Sequence, residues 1–146
     1  MRYQKKNFTN SLIKAVLIAF KAHKGQRDKG GKPYILHPLN VALKVHGKDA
    51  RIVALLHDVI EDSNIKIEDL YKVFDVHICE AVACITKKDG ISYDDYIKGV
   101  KSNELARMVK ISDMRHNSNL NRLKTISSRD IIRKNKYLDA IEFLQA

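Results

Sequence analysis

The chain has 146 residues, enough for one domain whose folding hides about 68–70% of the unfolded surface, so a core can form without disulfide staples. Twenty-seven Lys and Arg stand against 17 Asp and Glu, a formal charge of +10, and nowhere do 18 uncharged apolar residues run together, which excludes a helical membrane span. The basic opening MRYQKKNFTN leads into no apolar stretch with a small-residue cleavage site, so a soluble, unexported, cytoplasmic protein is expected.

The charge is unevenly spread. Residues 1–48 hold 11 Lys and Arg against one acid, whereas residues 49–100 hold 6 against 11. An anionic, phosphate-bearing partner suits that excess, although a lysine-favouring genome would also produce it.

In chain order, Leu12, Val16 and Phe20, with Ile13 and Leu17 beside them, repeat at i, i+4, i+8. The spacing predicts an amphipathic helix from Asn10, capped by Thr9 to Ser11 and ending near Gly25. The next segment, GQRDKGGKPY, gathers glycines and a proline and reads as an irregular loop where backbone can approach a ligand. Pro38 suits the first turn of a second helix, PLNVALKV, closed by Gly47. A third is expected to start at Asp49 as N-cap and to run without a break through ARIVALLHDVIED.

Shorter helical patterns follow at 65–74 and 76–85, and the second carries both cysteines, Cys79 and Cys84. They read as small core residues in a reducing compartment. A polar loop spans Lys87 to Ser92, and helices are expected at 103–117 and 128–145. No run alternates with period two long enough to require a sheet, so the expected fold is a single all-α domain, a compact helical bundle over residues 1–146.

Chemistry concentrates in LLHDVIED. Successive helical side chains are about 100° apart, so on an unbroken helix His57, Asp58, Glu61 and Asp62 share an arc of about 140°. They form an inner His-Asp pair and an outer Glu-Asp pair one turn later. Three carboxylates on one face repel unless a cation or water sits among them, and a divalent metal is the simplest answer. The bland reading is a satisfied core histidine beside a solvated acidic helix end. His37 before Pro38, and Asp113 just past the apolar ARMVKI, weigh against it, because a buried acid is costly without a partner.

Three blocks, AHKGQRDKGGKPYILHPLNVA, ALLHDVIED and VKISDMRHN, resemble in order and spacing the HD-domain hydrolases of the RelA/SpoT type, most closely the small stand-alone alarmone hydrolases. The resemblance covers residues 20–120 and implies a helical bundle. The implied activity is a manganese-dependent hydrolysis, by a metal-activated water, that removes the 3′-pyrophosphate of guanosine tetra- or pentaphosphate. By position it implies His37, His57, Asp58 and Asp113 as metal ligands, and Glu61 and Asp62 as the pair that orients and deprotonates the attacking water. The mixed N/O ligand set suits Mn²⁺ without excluding Zn²⁺ or Fe²⁺.

For the substrate the resemblance implies a phosphate-facing Lys29 and a nucleoside-contacting Asn117, with Arg27 and Arg115 as displaced counterparts of two family arginines. Asp28 stands where many members have an arginine, which removes a bidentate phosphate donor. His23 and His116 are read as structural or supporting. Lys24, Lys32, Lys110 and Arg115 are candidate sources of positive potential, and Tyr34 is expected to pack the loop on the bundle.

Two alternatives stay open. One is an HD phosphohydrolase acting on a different phosphorylated nucleotide; the other is a non-catalytic nucleic-acid or regulatory module, which no zinc-finger spacing or aromatic-interleaved basic stripe supports. A chain of this length has no room for a synthetase domain, so hydrolysis without synthesis is expected. The sequence does not fix whether the protein self-associates as a homo-oligomer.

Overall fold

The computed structural model describes the backbone of residues 2–146 and the side chains from Asn10 onward. Helices α1 (Arg2–Ala22), α2 (Leu36–Leu43), α3 (Lys48–Leu56), α4 (Val59–Asp62), α5 (Ile67–Tyr71), α6 (Val76–Ile85), α7 (Tyr93–Lys101), α8 (Glu104–Asn117) and α9 (Ser128–Gln145) follow one another, with a 3₁₀ turn at Leu120–Arg122. Among the described residues there is no strand, and a single antiparallel bridge, Arg27 to Pro33, pinches the Gly-rich loop. The architecture is all-α, as the absence of period-two patterning predicts. No helix among them is long and apolar enough to cross a membrane.

The core is organised around α3. Its residues Ala50 and Ile52 to Leu56 are buried, and it packs against α1, α2, α6 and α8. A helix that is apolar nearly all round belongs inside a bundle, not on its surface. Gly47, at φ 93°, supplies the left-handed turn that joins α2 to α3 and occupies the N-cap position. Asp49 is therefore not the cap. It sits in the first turn, where an acid suits the helix dipole, and its carboxylate takes a 2.8 Å contact from His77 Nε2.

Two further expectations are corrected. Helix α1 begins at Arg2, so the cap expected at Thr9 to Ser11 does not start it; the side chain of Thr9 lies outside the described residues. It also turns a different face inward. Ala15 and Ala19 are fully buried and Leu12 and Val16 partly so, while Ile13, Leu17 and Phe20 point to solvent. Small residues at the contact let α1 approach α3 closely, and its apolar arc is wider than that contact.

The second correction concerns the site. Helix α3 stops at Leu56, and the chain turns through His57 and Asp58 before α4 resumes. Asp58 sits at φ −108°, ψ 0°, the sparsely populated bridge region where many active-site residues lie. On a regular helix two consecutive side chains diverge by about 100°. The interruption lets both enter one cluster.

Helix α7 was not foreseen from the pattern. Ser92 caps it by accepting from the Asp95 N–H at 3.1 Å, and Tyr96, Ile97 and Val100 are its buried side. Cys79 is buried among core residues, Cys84 packs at its margin, and both are free thiols.

Candidate metal centre and nucleotide cavity

His37, in the first turn of α2, reaches the cluster with Nε2. The preceding loop is braced by Arg27, whose Nη1 donates to the Gly31 carbonyl at 2.9 Å, and by Asp28, whose Oδ1 accepts the Lys32 N–H at 2.9 Å. His57, at the end of α3, donates Nδ1–H to the Ala54 carbonyl at 2.5 Å. A carbonyl can only accept, so Nδ1 carries hydrogen and Nε2 is the nitrogen left to face the cluster. That nitrogen is buried and has no hydrogen-bond partner.

Four donor atoms from three separated segments close into a ring. His37 Nε2 is 2.9 Å from Asp113 Oδ1 and 3.7 Å from Asp58 Oδ2; His57 Nε2 is 3.0 Å from Asp58 Oδ2 and 3.5 Å from Asp113 Oδ1. With bonds of about 2.0–2.2 Å to one cation, donors at neighbouring corners stand about 2.9–3.6 Å apart, which suits His37, His57 and Asp113, while Asp58 keeps that spacing from His57 and lies just beyond it from His37. The candidate ligand atoms of His37, His57 and Asp113 all lie within 4.8 Å of one another, and all three residues are buried.

Supporting contacts hold the carboxylates. The Tyr34 hydroxyl donates to Asp58 Oδ2 at 2.5 Å, and its ring lies 5.0 Å from that of His23 and 5.6 Å from that of His37. Burial and the negative Asp58 push the Tyr34 phenol far above its ordinary range, so it stays a donor. Lys110 Nζ meets Asp113 Oδ2 at 2.9 Å, and Asn117 Nδ2 donates to Asp113 Oδ1 at 3.0 Å.

Charge sharing sets the protonation of the group. Burial alone would raise Asp58 and Asp113, but His57 beside the first and Lys110 and the histidines beside the second outweigh it and hold both carboxyls low. Burial would lower His57, yet Asp58 and Asp113 drive it well above the usual imidazole range. Two carboxylates thus attract positive charge into a buried pocket.

Glu61 and Asp62 lie on α4, exposed as residues and outside the ring of four. Glu61 Oε1 accepts the Lys87 backbone N–H at 2.7 Å, and the Asp62 carbonyl accepts from Gln26 Nε2 at 2.8 Å. Burial of the carboxyl groups, followed for Glu61 by the opposing Lys87 hydrogen bond and for both by repulsion from Asp58, leaves each raised.

Beside the cluster opens a cavity of about 310 Å³, walled by Arg27, Lys29, Asn117, Arg122, Arg133 and Tyr137. Its inner wall is tied to the cluster, because Asn117 bonds Asp113 and Tyr34, also on that wall, bonds Asp58. Arg27, Lys29 and Asn117 are therefore brought together. Arg115 is not: it is exposed and lines a second cavity with Asn40, Lys44 and His116. Arg122 escaped sequence reading altogether, since nothing in its neighbourhood marks it.

The HD domain family profile matches residues 15–128, more than half of the chain. The chain belongs to the HD domain family. This HD domain is 41% identical over 81 residues to a guanosine-3′,5′-bis(diphosphate) 3′-pyrophosphohydrolase of Borreliella burgdorferi, an alignment that covers 53% of the chain and 12% of the relative. It is 36% identical over 88 residues to the bifunctional (p)ppGpp synthase/hydrolase SpoT of Escherichia coli, covering 58% of the chain and 12% of that protein. This HD domain thus spans only a small part of the length of these relatives. Its fold also matches a solved structure described as a metazoan ortholog of SpoT that hydrolyzes ppGpp. The TM-score is 0.76 at 20% identity, covering 92% of this chain and 84% of that one.

Proposed function

We propose that this HD domain is a divalent-metal pyrophosphohydrolase that removes the 3′-pyrophosphate of guanosine 3′,5′-bis(diphosphate), acting as one hydrolase unit over residues 1–146 in the cytoplasm. The observation that carries it is the ring of four N and O donors set against a cationic cavity whose wall shares hydrogen bonds with that ring. The activities of the relatives point to the substrate class.

His37, His57, Asp58 and Asp113 are the residues that would hold the ion, with Mn²⁺ the proposed metal: the two carboxylates suit it, and the two imidazoles suit Zn²⁺ or Fe²⁺ as well. When bound, such an ion supplies Lewis acidity that lowers the pKa of water and offsets phosphoryl charge. Tyr34 and Lys110 each hold one carboxylate, so the donor oxygens keep their place. Glu61, with its raised carboxyl, takes the proton of the attacking water, and Asp62 orients that water. Arg27, Lys29 and Arg122 receive the phosphates, and Asn117 sits where the nucleoside meets the cluster.

Purified protein with Mn²⁺ should convert guanosine tetraphosphate to GDP and pyrophosphate. If neither product forms at high enzyme concentration, the substrate assignment is wrong. Asp28 favours one second reading, a less highly charged nucleotide: its carboxylate lies on the cavity wall, 3.9 Å from Arg122, and offsets a cation there. Turnover of another nucleotide in a panel, without turnover of the alarmone, would select that reading.

A further inference from the structure

His116 stands between two neighbours. Its Nδ1 is 2.6 Å from His37 Nδ1 and 2.9 Å from Arg122 Nη1, and the two imidazole rings lie 4.9 Å apart in a stacked arrangement. A guanidinium only donates, so His116 Nδ1 must present its lone pair to Arg122. His37 Nδ1, at the same acceptor, must then carry its hydrogen. The consequence falls on the far side of the ring, where His37 Nε2 faces Asp113 and Asp58.

We propose that Arg122, acting through His116, fixes the hydrogen of His37 on Nδ1 and so aims the His37 Nε2 lone pair at the metal centre. Both are positioning residues. This rests on the reading of His37 as a metal ligand and extends it to how that ligand is prepared. His57 has the equivalent device within its own helix, the Ala54 carbonyl, whereas His37 draws it from α8 and the turn after it. Such outer partners fix ring orientation and raise ligand basicity, and their loss commonly costs about 10- to 100-fold in metal affinity.

Arg122 is well placed for the task. The same Nη1 lies 3.1 Å from the His116 carbonyl and 3.4 Å from Asn117 Oδ1, and Nη2 lies 3.9 Å from Asp28 Oδ2. Its own carbonyl abuts Gly30 so closely that any Cβ there would collide with it. The loop that leads into His37 and the turn that carries Arg122 are thereby held in register.

The test compares Arg122→Met, Arg122→Lys, His116→Leu and His116→Gln, each checked for a cooperative melt. Calorimetric titration with Mn²⁺ should show about tenfold or greater weakening for the Met and Leu variants. Lys keeps a donor and Gln keeps an acceptor, so these two should stay within about threefold of the parent. In metal-free, ¹⁵N-histidine-labelled protein, a low-field, slowly exchanging His37 Nδ1–H proton should be present in the parent and the Gln variant and absent in His116→Leu. Unchanged Mn²⁺ affinity in folded Arg122→Met and His116→Leu, or a parent without that proton, overturns the proposal. A parent that shows the proton but binds no metal sinks the hydrolase reading and leaves the His37 tautomer assignment standing.

Discussion

Glu61 is gripped at one carboxylate oxygen by the Lys87 N–H, and although the residue is exposed, its carboxyl sits deep enough for burial to lift it above the usual 4.5. A base must be ionised to take a proton, so kcat/KM should fall as pH drops through that raised value. The acid limb of the profile is therefore expected above 4.5. Glu61→Gln should lower kcat by about 10²- to 10⁴-fold while leaving Mn²⁺ affinity in calorimetry unchanged. Lost metal in that variant would make Glu61 a ligand instead of a base. Lys110 works on the opposite side of the cluster, where Asp113 Oδ2 at 2.9 Å is its ion-pair partner and both side chains are largely buried. Burial would lower Lys110, but Asp113, with Tyr96 and Asp58 behind it, outweighs burial, so the lysine stays charged. Lys110→Met leaves a buried carboxylate without its cation and should cost about 3–5 kcal/mol in denaturant unfolding. A loss within about 0.5 kcal/mol would show that Asn117 and the histidines suffice for Asp113.

At the scale of elements, α1 offers the sharpest contrast between pattern and packing. Its apolar residues cover so wide an arc that periodicity finds the helix but not which part of the arc meets α3. The contact falls on Ala15 and Ala19, both fully buried, and leaves Leu17 at 63% exposure. Leu and Ala differ little in helix propensity, so substitutions here report packing. Ala19→Leu should cost about 1–3 kcal/mol by overpacking, whereas Leu17→Ala should stay within about 0.5 kcal/mol, both read from urea midpoints at constant m. The reverse order would mean that α1 turns its large residues inward. Helices α8 and α9 fall almost to the residue where the apolar spacing predicts them, and Asn103 and Ser127 cap them, each accepting from a first-turn N–H. Helix α7 was not, since Gly99 and two adjacent acids dilute a nine-residue segment whose buried side is only Tyr96, Ile97 and Val100. The break at His57 and Asp58 was hidden for another reason. A pattern of apolar residues continues across it, and the two side chains that the turn redirects find partners far away in sequence, His57 at Asp113 and Asp58 at Tyr34 and His37.

Across the whole molecule, the cluster ties together α2, the α3–α4 turn and α8, segments that are far apart in sequence and meet only in the folded chain. The four candidate ligands were legible because each lies in a block with its own spacing. Tyr34, Lys110 and Arg122 act through contacts that no spacing encodes, although Tyr34 and Lys110 do sit three residues before His37 and Asp113. A cation shared by three segments binds the native state and not the unfolded one, so it should stabilise the fold by mass action. At a free concentration of about 100 Kd the gain is about 2.7 kcal/mol, which for a domain of this size raises Tm by about 10 °C. Melting the chelated parent with and without Mn²⁺ measures it, and the shift should grow with the logarithm of metal concentration. His57→Ala removes the orphaned Nε2 that the ion would occupy and should abolish the shift, whereas Glu61→Gln should keep it. Equal melting of the chelated and metal-supplied parent would show that the clustered donors stabilise the fold through their own hydrogen bonds and ion pairs.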